Sequence, residues 1–325
     1  MYKNILYGFL FTITIIFLSL LYIINKSAPQ NFFKIALFIN KKYLFLSLFV
    51  VFLFYTFDNL RTFIIARSVG VKYSFLYGYV IVLINSFGAT VTPFYIGGEL
   101  LPFYTLKRIK GEIYQIMSIV TLKGFSGMFF YIIFFPFTIH SILINPHKAK
   151  KIIFLFLFIL FITVILFTLW QLIFKKRLKF LSKETLRSIK YTLLKYLVIC
   201  KNFFKKKKKV FLIVLMLSLF MYSSLLFTGI FLIKAFNENA FSIKEVFLAQ
   251  LPLIYAIFMS PTPGGSGVGE IGALSVFDTF IDADFIGIFA ILWRIVNQYL
   301  GAFIGGLLFL ILILKDSCKK RWISL

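Results

Sequence analysis

Apolar runs of about twenty residues recur from one end of this chain to the other, and a run of that length is what one helical bilayer crossing requires. Eight are distinguishable, near 5–24, 43–65, 74–92, 113–139, 152–174, 210–233, 244–260 and 285–314. The chain is 61% hydrophobic and 14% charged over 325 residues. A soluble domain has about 45–50% apolar and about 25% charged residues, so both a soluble globule and a disordered chain are excluded. The fold class is an all-α polytopic membrane protein forming a single integral membrane domain over 1–325.

Basic residues outnumber acidic ones 36 to 11, for a net charge of +25. They lie mostly between the apolar runs, which indicates membrane orientation and contact with anionic lipid heads rather than nucleic acid. Two cysteines, Cys200 and Cys318, provide neither a disulfide framework nor a metal spacing. His140 and His147 are the only histidines and read as loop residues. No Gly-rich nucleotide loop is present, so no cofactor and no ATP-driven transport by this chain alone are expected. Asp278, Asp282 and Asp284 match no EF-hand spacing and read as solvated caps.

The first run has the flank of a signal peptide but no small-x-small cleavage site after it, and reads as a retained helix. The stretch 175–209 carries 14 basic residues and one acid, Glu184, which places it in the cytoplasm. Within it, 178–199 mixes apolar and basic residues at helical spacing, the pattern of an amphipathic helix on the membrane surface. With a basic C-terminal tail also inside, 245–284 must begin and end on the same face. Its two arms are 15 residues each, short of the ~20 needed for a crossing. The segment 74–110 is likewise flanked by basic residues on both sides. The expected topology is therefore N-in and C-in, with six full crossings and two opposed re-entrant hairpins. Lys26, Lys34, Lys41 and Lys42, on a loop that would lie outside, count against it.

An internal repeat supports the same arrangement. One motif runs Thr92-Pro93 to Gly98-Glu99; the other runs Thr262-Pro263-Gly264-Gly265 through Gly267 to Gly269-Glu270. A cation follows each in the next helix, Lys123 and Arg294. The first repeat spans 43–139 with hairpin 74–110, and the second spans 210–314 with hairpin 245–284, an inverted-repeat transporter pattern. Broken backbone inside a membrane is tolerated where protein or a polar cavity covers it. A helix restarting after such a break offers N–H groups to an anion. Glu99 and Glu270 are the acids attached to the breaks, suited to proton coupling, to holding a cationic headgroup, or to plain structural pairing with Lys123 and Arg294. Arg294, with Asn297 at i+3, is a candidate phosphate holder. Arg61, three residues after Asp58, either pairs with it or snorkels to the interface.

At these motifs the sequence resembles the lysylphosphatidylglycerol synthase transmembrane-region family, the flippase domain of the multiple peptide resistance factor. Residues 261–270 followed by Arg294 carry the resemblance most specifically. Thr92-Pro93 and Gly98-Glu99 with Lys107-Arg108 and Gly111, and Arg61 before Gly70, carry it more weakly. The resemblance implies a bacterial inner-membrane flippase or scramblase for anionic or lysyl-modified phospholipid, working beside a separate lipid synthase and able to form a homo-oligomer. Leu122 stands before Lys123 where the family often has an acid, which weakens any first-half ion pair carried over from it. Transport of a polyprenyl-phosphate carrier or a small polar solute, a membrane-embedded lipid-modifying enzyme and a non-transporting scaffold are the alternatives.

Overall fold

The computed structural model describes residues 39–143, 183–237 and 241–323, together with positions 161, 165 and 168. The expected crossings at 5–24 and 152–174, His147 and the start of the basic loop lie outside the described residues. The described residues are helical, without a strand among them. Helix α1 (Lys41–Val69) starts where the Asn40 side chain accepts the Lys42 N–H at 3.1 Å, and stops at Gly70, whose φ of 96° only glycine adopts readily. Helices α2 (Phe75–Val91) and α3 (Ile96–Arg108) follow, then α4 (Ile113–Leu143). Helix α5 (Lys183–Lys206) coincides with most of the expected amphipathic segment and exposes Leu193, Leu194, Leu197 and Val198. Helices α6 (Lys208–Phe236), α7 (Ile243–Phe258) and α8 (Val268–Phe277) come next. The last apolar run is divided into α9 (Ile286–Arg294), a π-turn (Ile295–Tyr299) and α10 (Leu300–Ile323).

Four of these helical stretches are long and apolar enough to cross a membrane: Lys41–Val69, Ile113–Leu143, Lys208–Phe236 and Ile286–Ser317. The protein is multi-pass. Helices α2 and α3, of 17 and 13 residues, and α7 and α8, of 16 and 10, are too short for a crossing of ~20 residues. Each short pair packs arm against arm. The α2–α3 approach requires glycine on both sides, because a Cβ on Gly97 would lie 2.3 Å from the Gly88 carbonyl.

The two breaks share one backbone conformation. After Pro93, Phe94 and Tyr95 have φ of 54° and 59°; after Pro263, Gly264 and Gly265 have φ of 58° and 64°. Two consecutive left-handed residues after a proline form a 3₁₀ turn in both cases, Pro93–Tyr95 and Pro263–Gly265. The second half uses glycines, which adopt this region freely. The first half uses two aromatic residues, which adopt it against steric resistance of ~1–2 kcal/mol each.

Contacts at the helix ends fix the relative direction of the two pairs. At one end of the bundle Gln115 reaches Val69 O at 3.1 Å, Lys207 reaches Ser68 O, and Arg108 pairs with Asp316 at 2.9 Å. The outer ends of α2 and α3 lie here. At the other end Asn40 N–H donates to Ala235 O at 2.9 Å and Asn237 to Phe280 O at 3.4 Å. The outer ends of α7 and α8 lie there. The tips therefore point at each other from opposite ends, and they touch: Tyr95 Oη donates to Gly264 O at 3.0 Å.

Candidate functional site

Between the two tips and helices α1, α4, α6 and α9 lies a cavity of about 240 Å³. Its first charged group is built on one turn of α1. Asp58 and Arg61 stand three residues apart, on neighbouring surface positions, and Asp58 Oδ1 accepts from Arg61 Nη2 at 2.6 Å. Asp58 Oδ2 accepts from Lys123 Nζ of α4 at 3.0 Å. Arg61 Nη1 also donates to Ser218 Oγ of α6 at 3.0 Å. Arg61 is only 3% exposed, so it is held inside the bundle and does not snorkel. One carboxylate thus serves two cations, leaving the cluster one positive charge in excess.

The second group locks the α7–α8 break. Both Glu270 oxygens are engaged: Oε2 accepts the Gly267 N–H at 2.6 Å, and Oε1 accepts Arg294 Nε at 3.1 Å and the Tyr299 hydroxyl. Arg294 donates further to Gln298 Oε1 at 2.7 Å and to Gly264 O at 2.9 Å. Gly264 O also accepts from Gln298 Nε2 at 2.9 Å, so three side chains converge on this carbonyl at the tip. Gln298 reaches the other hairpin through Thr90 Oγ1 at 3.2 Å. Gly269 makes room for the guanidinium, since a Cβ there would sit 2.6 Å from Arg294 Cζ. Gln298 meets Arg294 at i+4, as neighbours on a helix do, while the π-turn swings Tyr299, at i+5, to the Glu270 side.

The residues singled out from the sequence divide in two. Asp58, Arg61, Gly98, Glu99, Lys123, Arg294 and Asn297 line the cavity. Thr92, Pro93, Thr262, Pro263, Gly264, Gly265, Gly267, Gly269 and Glu270 frame the breaks behind it. Thr92 Oγ1 accepts the Gly97 N–H at 2.7 Å and donates to Gly88 O at 2.8 Å, closing the first tip. Thr262 Oγ1 donates to Ser266 O at 2.8 Å, closing the second. The Gly97 and Gly267 N–H groups are thus taken by Thr92 and Glu270 rather than left for an anion. Glu270 is fully buried, whereas Glu99 is exposed at the cavity edge between exposed Ile96 and Leu100. Lys123 pairs with Asp58, not with Glu99.

Several lining residues escaped the sequence reading: Tyr55, Asn85, Thr90, Tyr95, Tyr131 and Tyr222. Asn85 had a visible signal, as the one carboxamide in the apolar run 74–92. The tyrosines had none, being 4 of 17 in an aromatic-rich chain. Among the described residues no cluster of His, Cys, Asp or Glu could hold a metal ion.

The family described as the lysylphosphatidylglycerol synthase TM region matches residues 5–305, nearly the whole chain. The chain belongs to this family. No curated protein matches it at a significant level. Membership, with the four apolar helices, makes this a multi-pass inner-membrane protein of membrane lipid handling.

Proposed function

We propose that the protein moves anionic or aminoacylated phospholipids across the inner membrane, the headgroup passing through the central cavity while the acyl chains stay in the bilayer. One observation carries this reading: a cavity lined by Asp58, Arg61, Lys123 and Arg294 has its acidic edge, Glu99, set between exposed apolar Ile96 and Leu100. Charge inside a membrane bundle is costly and is kept where it does work. A charged interior beside an apolar exterior suits a molecule that is itself charged at one end and apolar at the other.

In this reading the lipid phosphate is drawn to Arg61 and Lys123, which have only one carboxylate between them. An aminoacyl ammonium takes Glu99 and the nearby aromatic faces of Tyr131, Tyr222 and Phe258, whose rings lie 4.7 to 5.2 Å from one another through Tyr131. Arg294, neutralised by Glu270, holds the second tip in place. The α2–α3 and α7–α8 pairs are re-entrant hairpins, each stopping halfway through the membrane. Basic residues at the outer end of the first, from Arg67 and Lys72 through Arg108 to Lys207, set that end in the cytoplasm. Each hairpin then separates the cavity from one leaflet, and displacing them in turn gives alternating access.

The test is headgroup movement in proteoliposomes, with labelled phosphatidylglycerol and lysyl-phosphatidylglycerol, for wild type, Glu99→Gln and Lys123→Met. The expected result is translocation faster than in protein-free vesicles, slowed about tenfold or more in the variants, as loss of ~1.4 kcal/mol of headgroup interaction would produce. Dependence on an ion gradient would mark a flippase and independence a scramblase. Equal rates with and without folded protein would refute the lipid reading and move polyprenyl-phosphate or solute transport ahead.

A further inference from the structure

Three carboxamides border the cavity, and they differ sharply in how they are used. Gln298 is saturated: its oxygen accepts from Arg294 and its nitrogen donates to Gly264 O and Thr90 Oγ1. Asn85 on α2 and Asn297 in the π-turn are 5% and 9% exposed, and neither the oxygen nor the nitrogen of either has a hydrogen-bond partner. Exchanging O for N in either amide would change nothing, because both atoms are orphaned. Buried polar groups in folded proteins are paired almost without exception, and an orphan costs ~1–3 kcal/mol. Both residues border one cavity, one from each half of the repeat, and all four of their amide atoms are buried without a partner.

The chemistry of the missing partner follows from that inventory. A phosphate only accepts, so it satisfies the two NH₂ groups and leaves both carbonyls empty. An ammonium only donates and leaves both NH₂ groups empty. A hydroxyl does both with one atom. Charged partners are supplied elsewhere in the cavity, by Arg61 and Lys123 for an anion and by Glu99 for a cation. From this we infer that Asn85 and Asn297 are specificity-determining residues that hold the uncharged, hydroxyl-bearing part of a headgroup. The ligand class is then a polyol phosphate, with glycerol or a sugar next to the phosphate, in preference to a headgroup without hydroxyls. The inference rests on the lipid reading above and refines it. The contribution is discrimination: a site built to bond a hydroxyl rejects the analogue lacking it far better than an apolar pocket rejects an extra group.

The test compares two short-chain lipids of equal charge, dioctanoyl phosphatidylglycerol and dioctanoyl phosphatidylpropanol, which differ by two hydroxyls. Binding to purified protein in micelles is measured by calorimetry, beside translocation of the long-chain forms. Wild type should prefer the glycerol lipid by ~10-fold or more, as one to two hydrogen bonds would give. In Asn85→Leu/Asn297→Leu that ratio should fall to about one, with Asn297→Ser retaining part of it. Equal affinity in wild type, or a preference that survives in the double variant, would overturn the inference and leave the two amides holding water only. If both lipids move and bind alike, the lipid reading stands and this refinement falls. If folded wild type neither binds nor moves either lipid, both fall together.

Discussion

Replacing Arg294 by alanine would strip the cation from a carboxylate that has no access to solvent. Glu270 is 0% exposed, behind the cavity wall at the second break, and Arg294, in that wall, is 2% exposed. Removing one member of a buried pair costs ~3–5 kcal/mol, because the other charge stays buried and uncompensated. Gly264 O keeps Tyr95 and Gln298 as donors, so no further orphan is added there. Glu270→Gln should cost about as much, ~3–5 kcal/mol, because the buried Arg294 guanidinium keeps its charge and loses its carboxylate. The amide oxygen can still accept the Gly267 N–H, and Arg294 keeps two neutral acceptors, Gly264 O and Gln298 Oε1. Glu270→Gln/Arg294→Gln should cost less than the sum of its two single variants by ~2 kcal/mol, the coupling of a contacting pair. The assay is thermal unfolding in a fixed detergent at a fixed scan rate, followed by tryptophan fluorescence. Trp293, buried at 2% beside Phe277, reports on this region directly. At ~2 °C per kcal/mol for a chain of this size, Arg294→Ala should lower the midpoint by ~6–10 °C. A loss under ~2 °C, or additive costs in the double variant, would refute the reasoning that the pair locks the break in a desolvated place.

The first-half cluster should respond asymmetrically. Asp58→Asn leaves Arg61 and Lys123 facing each other and should cost ~3–5 kcal/mol, while Lys123→Met leaves the Asp58–Arg61 pair intact and should cost ~1–2 kcal/mol; denaturation midpoints of the two variants decide this. Phe94→Gly should be neutral or stabilising by ~1 kcal/mol through relief of a left-handed φ. Gly264→Ala should destabilise, because its Cβ would lie 2.4 Å from Gln298 Nε2; melting curves of the pair test whether the two breaks are conformational equivalents. Arg108→Ala removes a half-exposed pair with Asp316 and should shift stability by less than ~1 kcal/mol, with any effect fading at high salt.

How much of this could be read in advance depended on range. The short arms and the Thr-Pro and Gly-Glu motifs marked both breaks, and α2, α3, α7 and α8 lie where those signals put them. The partners of the charges were not legible. Asp58 and Lys123 are 65 residues apart on different helices, and their meeting depends on how α1 and α4 are rotated. Glu270 looked like a match for Glu99 by position in the motif, yet one caps a buried helix start and the other edges the cavity. The cause is local: Gly267 at φ 84° turns its N–H to Glu270, whereas Thr92 closes the first break in place of a carboxylate. The π-turn was not legible, because Ile295–Tyr299 lies inside one long hydrophobic run and hydropathy does not report a local change of helical pitch.

By itself the sequence determined that the chain is a helical membrane protein, where its helices break, and which end is basic. Those properties follow from run length, from proline and glycine placement and from charge, each of which acts over a single turn or a single segment. Only the tertiary structure decided that the two tips meet, that Asp58 serves two cations, that Glu270 is spent on the fold, and that Asn85 and Asn297 border one cavity with their amides unpartnered. Those properties depend on side chains tens to hundreds of residues apart approaching within hydrogen-bond distance, which helix packing sets and no local pattern encodes.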